Sequence, residues 1–181
     1  MKRIVWVSGL ISGGILAAVM AVTMPLANNG TLRHSELIGY SSMVLAFVMV
    51  FVGIRSYREN VGGGTMTFGK GFQVGILITL IGSAIYLLSW EIIYFNFLPD
   101  FMDRYAASLL RKMQAAGATP AAMAAKQREL AGLQRLYKNP LINIGMTFME
   151  VFPVGLIVTL MSAAILQRRA GFRSAATQSP L

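Results

Sequence analysis

The sequence predicts an all-α, polytopic membrane protein: four transmembrane helices, with an extramembrane helical hairpin between the third and fourth. Three observations carry that prediction. Four long apolar blocks occupy residues 4–27, 37–54, 72–98 and 141–166, and none holds a Lys, Arg or Asp. At 1.5 Å per residue the first, third and fourth cross a hydrocarbon layer of ~30 Å, and the second just reaches. In composition, 55% of the residues are hydrophobic and 13% charged, with a mean hydropathy of +0.60, whereas about a quarter of a soluble domain is charged. The 181 residues leave room for one domain: a four-helix membrane unit over residues 1–170 and a disordered, basic and polar tail over 171–181.

The first block follows Met1-Lys2-Arg3 and resembles a secretory leader in charge. Its apolar stretch is too long for one, and Pro25-Leu26-Ala27 is a poor small-x-small cleavage site, so a retained span is expected. Met24-Pro25 and Asn28-Asn29-Gly30 end it, and a tight loop returns the chain to the second span. After Ile54, the run Arg55-Ser56-Tyr57-Arg58 suits the headgroup layer, and Gly62-Gly63-Gly64 reads as a flexible elbow. Arg55, Arg58 and Lys70 are expected to face lipid headgroups, with Lys70 snorkelling.

The insert, residues 99–139, reads as a helical hairpin. Pro99-Asp100 opens the first arm, whose apolar face is Met102, Tyr105, Leu109 and Met113. Gly117 ends it. Thr119 caps a second arm that begins at Pro120, with Met123, Leu130, Leu133 and Tyr137 as its stripe. The narrow stripes favour mutual packing of the two arms. Asn139-Pro140 separates this arm from the fourth span.

Four crossings put both termini on one side with the Arg55–Lys70 loop. Basic residues tie between the two sides, and Lys2-Arg3, Arg168-Arg169 and the short flanking segments break the tie toward cytoplasmic termini. The formal charge of +9 is not a nucleic-acid footprint, because no reading motif or stacking platform accompanies it. Zero cysteines remove disulfides, thiol catalysis and thiolate metal sites. His34, the only histidine, stands beside Arg33 and Glu36 in a loop, neither half of a metal site nor of a catalytic dyad. Gly64–Gly71 matches G-x-x-x-x-G-K but has Gly71 where a magnesium-binding Ser or Thr belongs, with no strand before it. No cofactor and no metal are expected.

Glu150 is the sharpest candidate for function. An acid this deep costs roughly 2.5–3.5 kcal/mol or more, so it is expected to face the bundle interior beside a partner. No Lys or Arg lies at its depth, leaving hydroxyls, amides, water or its own proton to satisfy it. Pro153 frees the Met149 carbonyl and permits a kink beside the acid. Glu91, between Trp90 and Tyr94, is expected to be an interfacial acid that reaches water. Small residues recur every fourth position: Gly9, Gly13, Ala17 and Ala21; Gly71, Gly75, Thr79 and Ser83; Gly155, Thr159 and Ala163. Such rows let helix backbones approach closely. They serve packing within the bundle, or leave one face spare to dock a second copy or another membrane protein.

Four strings together resemble a bacterial membrane family known as domain-of-unknown-function family 4199. They are Glu36-Leu37-Ile38-Gly39-Tyr40-Ser41-Ser42-Met43; Gly53-Ile54-Arg55-Ser56-Tyr57-Arg58-Glu59-Asn60 leading to Phe68-Gly69-Lys70-Gly71-Phe72; Trp90-Glu91-Ile92; and Glu150-Val151-Phe152-Pro153-Val154-Gly155-Leu156. The resemblance implies four spans with a helical insert, in a bacterial inner membrane, and brings no activity with it. The expected function is that of a non-enzymatic scaffold or accessory subunit, with membrane lipids and a homo-oligomer or membrane-protein partner. The alternative is a small oligomeric proton- or cation-linked transporter or channel that uses Glu150, with Glu91 as a second carboxylate.

Overall fold

The computed structural model describes residues 1–28 and 35–167, with side chains from 25 to 28 and 35 to 38 left aside. The turn at Asn29-Gly30, His34 and the tail over 171–181 lie outside the described residues. Six helices follow in order: α1 (Lys2–Asn28), α2 (Ser35–Asn60), α3 (Phe68–Asn96), α4 (Phe101–Ala115), α5 (Pro120–Tyr137) and α6 (Pro140–Leu166). Four of them, α1, α2, α3 and α6, are long and apolar enough to cross a membrane. The shorter α4 and α5 form the hairpin between α3 and α6.

Several boundaries differ from those predicted. The first helix continues through Pro25 to Asn28. The second runs to Asn60, six residues past the apolar block, and Arg55 and Glu59 pair across its last turns at 2.9 Å. Thr67 caps α3, which starts four residues before the apolar block, its hydroxyl accepting from the Lys70 amide. The glycine elbow is an ordered turn rather than a flexible one. Gly63 and Gly64 take φ of 60° and 86°, and the amides of Gly62 and Gly64 donate to the carbonyls of Tyr57 and Arg58. The left-handed residues reverse the chain and cap the carbonyls that α2 leaves open.

The bundle is built inside-out relative to a soluble protein. Leu45, Leu88, Ile157 and Ile165 are more than half exposed, while Ser12, Thr79, Ser83, Asn143 and Thr159 are fully buried. Hydrocarbon offers neither water for a hydroxyl nor any penalty for an exposed leucine, so that inversion is what a lipid-embedded surface requires. Around the buried hydroxyls, Phe47, Val50, Ile54, Val74, Ile78 and Val151 fill the centre.

Close approach holds the four long helices together. In α1, Gly9 and Gly13 receive Ile81 and Ile85 of α3, and a Cβ at Gly13 would stand 2.5 Å from the Ile85 Cδ1. In α3, Gly71 lies against Ala163 and Gly75 against Thr159, both in α6, while Gly155 of α6 receives Thr79 and Phe47. All five predicted packing glycines thus face neighbours inside the bundle. Gly14, by contrast, has open space around it.

The hairpin follows the predicted chemistry at its turn. Gly117 takes φ of 76°, Thr119 caps α5 by accepting from the Ala122 amide, and Pro120 stands in the first turn. The arms pack on each other, and Gln134 donates to the Asp103 carboxylate at 2.9 Å. The α4 stripe needs correction: Ala106 is buried beside Met102, whereas Tyr105 points out and stacks on Phe101. Ala106 sits one full turn from Met102, and its small size lets the arms close.

Two substitutions separate close packing from simple helix preference. Gly13→Val should destabilise the bundle by about 1–3 kcal/mol, the usual range for overpacking. Gly14→Ala should be neutral or stabilising by up to about 1 kcal/mol, since Ala is the better helix former. Thermal unfolding in detergent, followed by circular dichroism, checks both; equal melting temperatures for the two variants would contradict the packing described.

Candidate functional site

Three polar levels run down the bundle. At the centre, the Thr159 hydroxyl meets that of Thr79 at 2.9 Å, and Thr79 passes the bond on to the Gly155 carbonyl at 3.3 Å. Ser12 donates to the Ala46 carbonyl across α1 and α2 at 3.0 Å. These bonds join pairs of helices, as polar groups in hydrocarbon are expected to do. Ser83 is buried near this line, and its hydroxyl has no partner among the described residues.

The second level lies under the hairpin. Trp90 donates its indole N–H to Asn143 Oδ1 at 2.8 Å, and Thr147 reaches the same oxygen at 3.4 Å. Asn143 is fully buried, with its Nδ2 unpartnered among the described residues. Aromatic rings surround the pair: Phe101 meets Trp90 edge-on at 5.3 Å, and Tyr94 contacts Trp90 at 5.4 Å and Tyr137 at 6.1 Å. The hairpin base is thereby fastened to α3 and α6. Burial, and after it the Glu150 carboxylate, push the Tyr137 phenol above its ordinary value. A cleft of about 200 Å³ beside this junction is lined by Tyr94, Phe95, Met102, Asp103, Gln134 and Lys138. Asn143 escaped sequence reasoning, although the same signal that picked out Glu150 was there, a strongly polar residue inside an apolar block.

The third level is Glu150, and its direction overturns the expectation. Instead of facing the interior it lies on the exposed side of α6, with no hydrogen bond or ion pair among the described residues. Trp90 and Asn143 share a level, and Glu150 is seven residues further along α6, about 10 Å deeper toward the bundle centre. The reason lies in helix geometry. Thr147, Val151, Gly155 and Thr159 make the buried row of α6, and a residue next to Val151 projects ~100° round from it. Pro153 stands within an unbroken α6. It supplies no N–H, so the carbonyl of Met149, a residue that is 70% exposed, loses its helix donor.

Glu91 is half-buried, and its Oε1 is buried without a partner among the described residues. No hydrogen bond joins it to Glu150 among the described residues, and the two do not form a shared carboxylate site. At the opposite end of the bundle Arg55 and Lys70 are exposed, Lys70 donating to Gln73 at 3.2 Å. Arg58 is the exception among the headgroup candidates, since its side chain is only 13% exposed and folds onto Glu59. Among the described residues no cluster of three His, Cys, Asp or Glu is placed to hold a metal ion.

Four apolar helices with an inverted distribution of polar and apolar side chains define a multi-pass helical membrane protein. Residues 8–168 match the family described as protein of unknown function, DUF4199, and the chain belongs to that family. No curated protein and no solved structure matches it.

The Trp90–Asn143 bond can be tested by its removal. Trp90→Phe leaves a buried amide oxygen with a weakened set of donors and should cost about 1–3 kcal/mol. Trp6 is 57% exposed and is the other tryptophan, so Trp90 can be followed alone in a Trp6→Phe background. Asn143→Ala should then shift the Trp90 emission and lower the unfolding temperature; an unchanged spectrum would mean that the indole is not held as described.

Proposed function

We propose that this protein is a non-enzymatic accessory subunit or scaffold of the bacterial inner membrane, acting by lateral association with another membrane protein. The observation that carries the reading is the contrast between a filled interior and an outward acid. Large side chains occupy the bundle centre, and its bonded hydroxyls reach one another or a backbone carbonyl. The deep carboxyl of Glu150 instead stands on the outer surface. A lone carboxylate in hydrocarbon is costly, and contact with another protein relieves that cost. A small oligomeric transporter or channel is the weaker reading: with the bundle centre filled, its route would have to pass Glu150 between copies of the chain.

The bacterial inner membrane is what the family resemblance implies. The orientation puts the termini in the cytoplasm and the hairpin outside. Lys2 and Arg3 precede the first span, and Arg55, Arg58 and Lys70 flank the loop on the same side, in keeping with retention of short basic segments on the cytoplasmic face.

Purification of the full chain in a mild detergent should bring down a membrane protein in fixed stoichiometry; repeated recovery of the chain alone would remove the accessory-subunit reading. Orientation is tested separately. The native sequence has no cysteine, and Ala116 is exposed at the hairpin turn. Ala116→Cys should therefore react with an impermeant maleimide in intact spheroplasts. Labelling only after lysis would reverse the orientation.

A further inference from the structure

We infer that the outer face of α6 around Glu150 docks a transmembrane helix of a different protein, one that carries a Lys, Arg or His at the depth of Glu150. The inference rests on the accessory-subunit reading and specifies where the partner sits and what it presents. Glu150, Ile157 and Met161 lie seven and eleven residues apart on one exposed side of α6, a spacing that forms a single stripe. The stripe is apolar except at Glu150. It offers a neighbouring helix dispersion contacts along its length and one acceptor of negative charge. The carbonyl of Met149, left without its helix donor by Pro153, adds a second acceptor within the same turn.

Charge complementarity selects the occupant. An anionic carboxylate surrounded by hydrocarbon gains most from a cationic donor that is desolvated with it. A second copy of this chain has none to give at that level, because its apolar blocks contain no Lys, Arg or His. A symmetric dimer through this face would bring Glu150 to Glu150 instead. Nor do the small-residue rows compete for the role, since Gly9, Gly13, Gly71, Gly75 and Gly155 are all taken up within the bundle.

The test uses the full-length chain in its native membrane, with a photo-reactive benzoylphenylalanine at Ile157 or Met161. Leu45, 68% exposed on α2, serves as the control position. Irradiation should join positions 157 and 161, but not 45, to a transmembrane peptide of another protein that contains a basic residue. Glu150→Ala should lower the cross-link yield by at least about tenfold, the equivalent of one lost 1.4 kcal/mol increment. Glu150→Lys should abolish the cross-link, and replacing the partner's basic residue with Glu in that background should restore it. Unchanged melting temperatures for Glu150→Ala and Glu150→Lys show that their loss does not come from misfolding. A cross-link between two copies, or to a segment without a basic residue, overturns the inference. So does a stoichiometric partner that cross-links only from position 45 or from the hairpin, an outcome that leaves the accessory-subunit reading standing. Recovery of no partner at all overturns both.

Discussion

The fold depends on how closely α3 approaches its neighbours. Lipid tails are as apolar as leucine, so no hydrophobic force pushes spanning helices together, and cohesion has to come from dispersion and internal hydrogen bonds. Both grow stronger when backbones come near. α3 meets α1 where Ile81 and Ile85 seat against Gly9 and Gly13, and it meets α6 where Gly71 and Gly75 face Ala163 and Thr159. At that range short side chains span the gap, which is why the Thr79 and Thr159 hydroxyls touch. The small residues and the hydroxyls are two halves of one device. Enlarging the first would pull the second apart.

A different chemistry joins the hairpin to the bundle. At the membrane boundary, where water returns, aromatic rings and an amide take over from glycines. Trp90 presents its ring to Phe101 and Tyr94 and its N–H to Asn143, so one residue links α3, α4 and α6. Amphipathic rings suit that depth because one end is at home in hydrocarbon and the other near water. Further out, the hairpin depends on ordinary soluble-protein devices: a buried Leu130, the bond from Gln134 to Asp103, and a capped turn.

Much of this was legible in the sequence, and what was not has a physical explanation. Gly117, Thr119 and Pro120 announce the hairpin turn because backbone chemistry there is local. The four spans declare themselves by length and by the exclusion of charge. The facing of a span is harder to read. A helix that is apolar all round has no contrast between its large residues, and the usual amphipathic signal vanishes. In hydrocarbon the inward face is marked by the smallest residues, and Gly155 and Thr159 do mark it on α6. Extending that row back to Val151 leaves Glu150 to one side. The expectation that Glu150 points inward came from its cost in lipid alone, without that register. On α4 the three- and four-residue spacing of the large apolar residues passes over Ala106, the residue that is buried.

The order of synthesis gives the α3 groove a further significance. α1 and α2 are made first and can assemble on α3 as soon as it enters the membrane. The side of Gly71, Gly75 and Thr79 that receives Ala163 and Thr159 then waits until α6 emerges. Both hairpin arms lie between, so at about 5–20 residues per second the gap lasts several seconds. During that interval the nascent chain exposes a ready seat for any foreign helix with small residues at four-residue spacing. A bundle whose last two helices are joined by a short loop would close that seat sooner.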